Sequence, residues 1–226
     1  MKKPVVDYRE FRFSRLNEPR FSHLKLLLGW VVYFSLYFLT ENLIPEEACH
    51  VIHCRLDDLI PFNEWFLIPY VFWYLLIVVS LGYFALYNTD SFRRLQIFII
   101  VTQMTAMLIY ILYPNRQDLR PEEFLRDNLL TRGVAFLYAF DTNTNVCPSL
   151  HVAYSIGIAS VWLKEKGACV LWKSFVVVAV ILICMSTCFI KQHSAMDALV
   201  ALPVCLLAEC ITYGKDYWLP RLRRAA

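Results

Sequence analysis

Two stretches of this chain, Trp65 to Tyr87 and Leu95 to Tyr113, contain no charged residue at all. Uncharged apolar runs of about 20 residues fit few structures, because in lipid only a helix or a closed barrel satisfies its own backbone. Four further blocks are nearly as apolar, so six candidate spans stand at about 24–44, 65–87, 95–113, 149–163, 169–190 and 194–213. Hydrophobic residues make up 58% of the chain and charged residues only 18%, against about 25% in a soluble domain. This excludes a disordered chain, a small disulfide scaffold and an ordinary soluble enzyme. The expectation is an all-α polytopic membrane protein, a six-transmembrane-helix bundle forming one domain over 1–226. The polar, mixed-charge start carries no cleavable signal peptide pattern.

Orientation follows from where Lys and Arg fall. With the N-terminus in the cytoplasm, the outer side holds only Arg55, Arg116, Arg120, Arg126, Arg132 and Lys191 of the 22 Lys and Arg. Both termini are therefore expected in the cytoplasm, with outer loops at about 45–64, 114–148 and 191–193. The basic residues flank spans and suit anionic headgroups, which makes the lipid bilayer the expected partner and gives no reason to expect nucleic acid. Within the second outer loop, Pro121 to Phe140 opens with Pro, Glu122 and Glu123 and then mixes Phe124, Leu125, Leu129 and Leu130 with Arg126, Asp127 and Arg132. That pattern predicts an interfacial helix on the outer surface.

Of eight cysteines, Cys169, Cys184, Cys188, Cys205 and Cys210 fall in apolar segments and read as small buried hydrophobes. Cys49 and Cys54 share the string Cys49-His50-Val51-Ile52-His53-Cys54, open to a disulfide if that face is oxidising or to ordinary loop residues. A zinc site is disfavoured, since four ligands within six residues converge tetrahedrally with difficulty. His23, just before the first span, reads as an interfacial residue.

Three polar strings interrupt the apolar background, and the charge count brings all three to the outer face. They are Tyr113 to Pro121, Cys147-Pro148-Ser149-Leu150-His151, and Lys191-Gln192-His193-Ser194-Ala195-Met196-Asp197. His193 and Asp197 lie four apart at a helix start and so share a face. A carboxylate there can hold the proton of one imidazole nitrogen and leave the other as nucleophile or base, or the pair can be a structural hydrogen bond. Pro148-Ser149-Leu150-His151 offers unpaired N–H groups at a helix N-terminus, a natural anion site around Ser149 and Leu150, with His151 one turn in as proton donor. The same string also reads as a plain helix cap, by Ser149 or Asn145. Arg120, Lys191 and Arg116 are the outer cations placed to neutralise phosphate oxygens, or to anchor at headgroup level.

Pro148-Ser149-Leu150-His151, then His193 and Asp197 about forty residues on, with Arg120-Pro121 upstream, resembles the type 2 phosphatidic acid phosphatase superfamily over roughly residues 60–213. That pattern reads Lys-x6-Arg-Pro, Pro-Ser-Gly-His and Ser-Arg-x5-His-x3-Asp on six membrane helices. Here Tyr113 stands at the lysine position, Leu150 at the glycine and Thr187 at the arginine, while Ser186 is kept. A Pro-Ser-Leu-His motif, with Ile60-Pro61-Phe62 to Tyr70, is similar to the branch containing inositol phosphorylceramide synthases. The resemblance implies a lipid phosphate phosphatase with His193 as nucleophile oriented by Asp197, His151 as acid and base, and phosphate held by Arg120, Lys191, Ser149, Leu150 and Arg116. The alternative is a headgroup phosphotransferase with an alcohol acceptor. A non-catalytic lipid binder or transporter is the third reading, though no internal repeat is evident. The expected partner is a membrane lipid phosphate such as phosphatidate, a polyprenyl pyrophosphate, a sphingoid phosphate or phosphatidylglycerol phosphate. No carboxylate cluster for Mg²⁺ stands in these motifs, so turnover without metal or cofactor is expected. The expected site is the plasma membrane, with the active site on the non-cytoplasmic face.

Overall fold

The computed structural model describes residues 3–225. Its long helices follow the apolar blocks: α1 (Leu28–Leu43), α3 (Leu67–Tyr87), α4 (Thr89–Leu112), α6 (Leu150–Lys164), α7 (Val170–Phe189) and α8 (Ala195–Tyr213). Shorter pieces complete the order, with α2 (Arg55–Leu59) before α3, α5 (Leu129–Phe140) before α6, and α9 (Leu219–Ala225) joined to α8 through a π-helical turn, Gly214–Trp218. Two short strands, β1 (His50–Val51) and β2 (Asn115–Arg116), pair in parallel and tie the loop after α1 to the loop after α4. Among the described residues five helical segments are long and apolar enough to cross a membrane: Ser22–Leu43, Glu64–Tyr87, Thr89–Leu112, Val170–Phe189 and Ala195–Arg224. The chain is thus an all-α protein of membrane type, with Leu, Val, Ile and Phe side chains exposed along α1, α3, α7 and α8 as lipid contact requires.

The expected fourth span is α6, and it is the exception. At 15 residues it is about 22 Å long, short of the ~30 Å hydrocarbon core. It is also the helix at the centre, packed on α4, α7 and α8. The chain can approach closely here because Gly157 faces Phe98, whose ring carbon would lie 2.6 Å from any Cβ at that position. The C-terminal end of α6 is pinned. Glu165, just beyond it, accepts from Asn88 Nδ2 (2.7 Å) and Ser91 Oγ (3.0 Å), and Lys164 pairs with Glu209 at 2.7 Å. The shortfall therefore falls at its N-terminal end, where His151 packs against Trp73, six residues or about 9 Å into α3.

Several expectations need correction. The segment from Pro121 becomes helical only at Leu129. Asn128 caps it, its Oδ1 accepting from the N–H groups of Leu130 and Thr131 while Thr131 Oγ1 accepts from the Asn128 N–H. This reciprocal cap outcompetes the Pro-acidic opening, and residues 121–128 run as bends and irregular chain. His23 is buried rather than interfacial, bonded to Tyr8 Oη at 2.6 Å beneath a folded N-terminal segment. Of the five cysteines read as buried, Cys205 is, Cys184 and Cys188 are half-buried, and Cys169 and Cys210 are exposed. Cys49 and Cys54 are free thiols. The residues of their string turn apart, His50 stacking on Tyr113 at 4.2 Å and His53 bonding Asp58 at 2.8 Å.

Candidate active site

The three polar strings meet above the recessed end of α6. The turn between α7 and α8 is wound tightly, with Thr187 O accepting from both the Gln192 and His193 N–H groups (3.0 Å each) and Lys191 at φ 55. Ser194 then caps α8, and Asp197 closes the cap by accepting from the Ser194 N–H through Oδ2 at 3.0 Å. The same oxygen faces His193 Nδ1 at 3.2 Å, so the carboxylate serves helix start and imidazole together. His193 Nδ1 also lies 3.1 Å from Val146 O. A carbonyl only accepts, so Nδ1 carries the proton and the lone pair of the neutral ring sits on Nε2.

That lone pair faces His151 Nδ1 at 3.3 Å, which makes His151 the donor across the contact. His151 is wedged among aromatic rings, with centroids of Trp73 at 4.2 Å, Tyr70 at 4.6 Å and Tyr74 edge-on at 6.5 Å. Its Nε2 is buried without a partner. The backbone before it is fixed by Asn115, which is fully buried. Asn115 Oδ1 accepts from Val146 N–H (3.0 Å) and Cys147 N–H (2.8 Å), and its Nδ2 donates to Cys147 O (3.0 Å). A cis Cys147–Pro148 bond follows, then Ser149, the N-cap of α6, whose N–H donates to Asp197 O at 3.1 Å. Leu150 is the first helical residue and packs into the core. Glu41, near the end of α1, holds the loop above, accepting from Thr142 Oγ1 (2.7 Å), Thr144 Oγ1 (2.7 Å) and Asn145 Nδ2 (2.6 Å).

The three candidate cations part company. Arg120 joins the site: its guanidinium donates to the carbonyls of Tyr138 (3.1 Å), Asp141 (2.6 Å) and Thr142 (2.8 Å) and to Gln192 Oε1 (2.8 Å), and lies over the Tyr138 ring. Its Nε is buried and unpartnered. Burial works against the charge of Arg120, lowering its pKa, although Tyr138 and Asp141 act the other way. Lys191 instead reaches back to the carbonyls of Asp57 (2.8 Å) and Ile60 (2.5 Å), capping the end of α2. Arg116 is paired with Glu46 (2.9 Å) and Asp118 (3.2 Å). Thr187 and Tyr113 supply no charge, the first buried and the second stacked on His50.

Sequence reasoning missed several residues that build the site. Gln192 bridges Arg120 and Asp141, donating to Asp141 Oδ2 at 2.8 Å, and Tyr70 Oη donates to the same oxygen at 3.1 Å. Asp57, buried on α2, accepts from Ser194 Oγ (2.6 Å), Ala195 N–H (2.7 Å) and Cys54 N–H (2.8 Å), filling the N-terminus of α8. Burial pulls its carboxyl upward, but these hydrogen bonds outweigh that and hold its pKa below the ordinary value. Gln192 stood beside His193 in the motif and was the one legible signal. Asp57 and Asn115 act across 137 and 32 residues respectively, and no spacing rule reaches so far.

Chemically, the arrangement is an imidazole oriented by a buried carboxylate, a second imidazole against its free nitrogen, and one arginine nearby. No family model matches the chain, and neither curated proteins nor solved structures yield a match.

Proposed function

We propose that the chain is an integral membrane phosphoryl-transfer enzyme, a lipid phosphate phosphatase working through a phosphohistidine on His193. The observation that carries this reading is the Asp197–His193–His151 relay, with the lone pair of His193 Nε2 turned toward a proton donor. A structural histidine has no need of a second imidazole there. In this reading Nε2 attacks phosphorus, forming the N–P bond as the bond to the lipid oxygen breaks. His151 gives its proton to that oxygen, and the lipid leaves as an alcohol. Water then attacks phosphorus, His151 takes its proton, and the N–P bond breaks to release phosphate. Asp197 keeps Nδ1 protonated throughout and stabilises the charge that develops on the ring. The Ser149 N–H expected to bind phosphate is already given to Asp197 O, so Arg120 and the N–H group of Leu150 supply the positive potential for the phosphoryl oxygens.

A phosphorus atom cannot enter between nitrogens 3.3 Å apart, so substrate entry displaces His151 from His193. Its aromatic wall of Tyr70, Trp73 and Tyr74 offers a surface along which the ring can slide. α6 completes a six-span bundle in this reading, with both termini in the cytoplasm and the His pair opening toward the outer leaflet of the plasma membrane.

The headgroup phosphotransferase keeps a place beside this for a specific reason. Lys191 and Arg116 are engaged elsewhere, which leaves Arg120 as the cation hydrogen-bonded into the site. One cation suits the single charge of a phosphodiester better than a phosphomonoester of about −1.5 to −2. The test is detergent-purified wild type and His193→Ala, assayed in EDTA for free phosphate from a panel of lipid phosphates. Release by wild type alone supports the phosphatase. Silence from both, with lipid product formed by wild type from a phospholipid donor and an alcohol acceptor, supports the transferase. Equal activity of the two proteins would overturn both.

A further inference from the structure

α5 has two apolar faces, and only one of them is packed. Thr131, Val134 and Leu137 are buried against Tyr70, Phe62, Phe66, Leu67 and Ile190. On the other side Leu129, Phe136 and Phe140 are 85%, 75% and 79% exposed. At about 100° per residue these three fall within roughly 40° of one another, so they form one stripe. The helix lies against the outer end of α3, with Gly133 so near Leu67 that an added Cβ would meet its methyl at 2.6 Å. Trp65, just before α3, and Ile68 within it are exposed on the segment that α5 packs against. Arg126 and Arg132, both largely exposed, flank it as ion pairs with Glu64 (3.3 Å) and Asp127 (2.8 Å).

The far end of α5 is wired to the histidine turn. Tyr138 Oη donates to Ile190 O at 2.5 Å, and Arg120 joins the carbonyls of Tyr138, Asp141 and Thr142 to the Gln192 side chain. Ile190 and Gln192 lie three positions and one position before His193. A displacement of α5 is therefore carried to the nucleophile through two short polar links and the Tyr70–Val134–Ile190 packing beneath them.

We infer that α5 is a lipid-seated lever: its Leu129–Phe136–Phe140 stripe rests in the outer leaflet interface, and that seat sets the position of the Lys191–His193 turn. The occupant is a phospholipid leaflet, since α5 packs on the start of α3, a membrane-length helix whose Ile68, Val71 and Leu75 are exposed as lipid contact requires. The effect on catalysis rests on the phosphoryl-transfer reading, but the lever itself is tested without any activity. A photo-crosslinking p-benzoylphenylalanine is installed at position 136 or 140, and the protein is reconstituted in phosphatidylcholine–phosphatidylglycerol vesicles and illuminated. The expected product is a phospholipid adduct at both positions. Adducts to a second copy of the chain, or no adduct, overturn the lipid seat. Hydrogen exchange is then followed in the same vesicles for the amides of residues 191–193. Tyr138→Phe and the double variant Phe136→Ser with Phe140→Ser are each expected to speed it several-fold, with exchange in the centre of α4 unchanged as the check on folding. Unchanged exchange at 191–193 overturns the coupling.

Discussion

Asp197 takes part in two local structures through a single oxygen, the cap of α8 and the hydrogen bond to His193 Nδ1. Asparagine can keep both contacts through its amide oxygen but lacks the charge that stabilises an imidazolium. Asp197→Asn is therefore expected to fold and to lower turnover by about 10²–10⁴-fold, read as kcat at saturating lipid phosphate. Asp57 gives a pH-dependent counterpart. Its carboxyl titrates lower in the folded protein than in the unfolded chain, so its contribution to stability is full above the ordinary carboxylate range. That contribution is lost as pH falls through the folded value. Acidification is expected to release the loop before α3, seen as lower hydrogen-exchange protection at residues 54–60 relative to the intrinsic rate at each pH. Asp57→Ala is expected to show that release already at neutral pH, because it leaves buried donors on Ser194 and Ala195 unpaired at about 1–3 kcal/mol each.

Among the elements, α6 has the narrowest tolerances. It is short, pinned at its C-terminal end by Glu165 and Lys164, and pressed on α4 where Gly157 meets Phe98. Gly157→Val forces the two helices apart and is expected to destabilise the fold by about 1–3 kcal/mol, measured as earlier thermal unfolding in detergent. The loops around the histidines answer differently, being held mostly by polar side chains that bridge them. Asn115→Ala removes the acceptor of the Val146 and Cys147 N–H groups. It is expected to reduce activity more than stability, since what it loosens is the approach to Ser149 and His151 rather than the apolar core. Neither effect could be read from the helical pattern, which marks α6 as one more apolar run and Asn115 as one polar residue of a loop.

At the scale of the whole molecule, the charge asymmetry and the position of the His pair give one topology that can be tested from outside. In intact cells, a membrane-impermeant maleimide is expected to label Glu123→Cys strongly above the parent protein. Lys166→Cys is expected to react only after permeabilisation. The opposite pattern would put the histidines on the cytoplasmic face. The pH response of the whole enzyme has a defined shape under the proposed chemistry, because His193 must be neutral while His151 is protonated. The expected result is a bell-shaped kcat/KM profile, with His151→Ala removing its alkaline limb.

What the sequence determined by itself is the material of the fold and the pairing of His193 with Asp197. Uncharged runs of membrane length have no alternative to helices, and this made α3 and α7 legible to within two residues, while α4 starts six residues before its expected span, at Thr89. His193 and Asp197 were legible because a separation of four at a helix start is a local distance, set by helix geometry alone. The tertiary structure decided what depends on contacts between distant segments. It made α6 a recessed central helix, since its depth is set by Glu165 and Lys164 gripping α3, α4 and α8. It started α5 at Leu129, drew Lys191 and Arg116 away to loop carbonyls and carboxylates, and kept Arg120 at the site through Gln192. A long cationic side chain has reach enough for several partners, and which one it meets is fixed only when the loops carrying those partners have been folded into place.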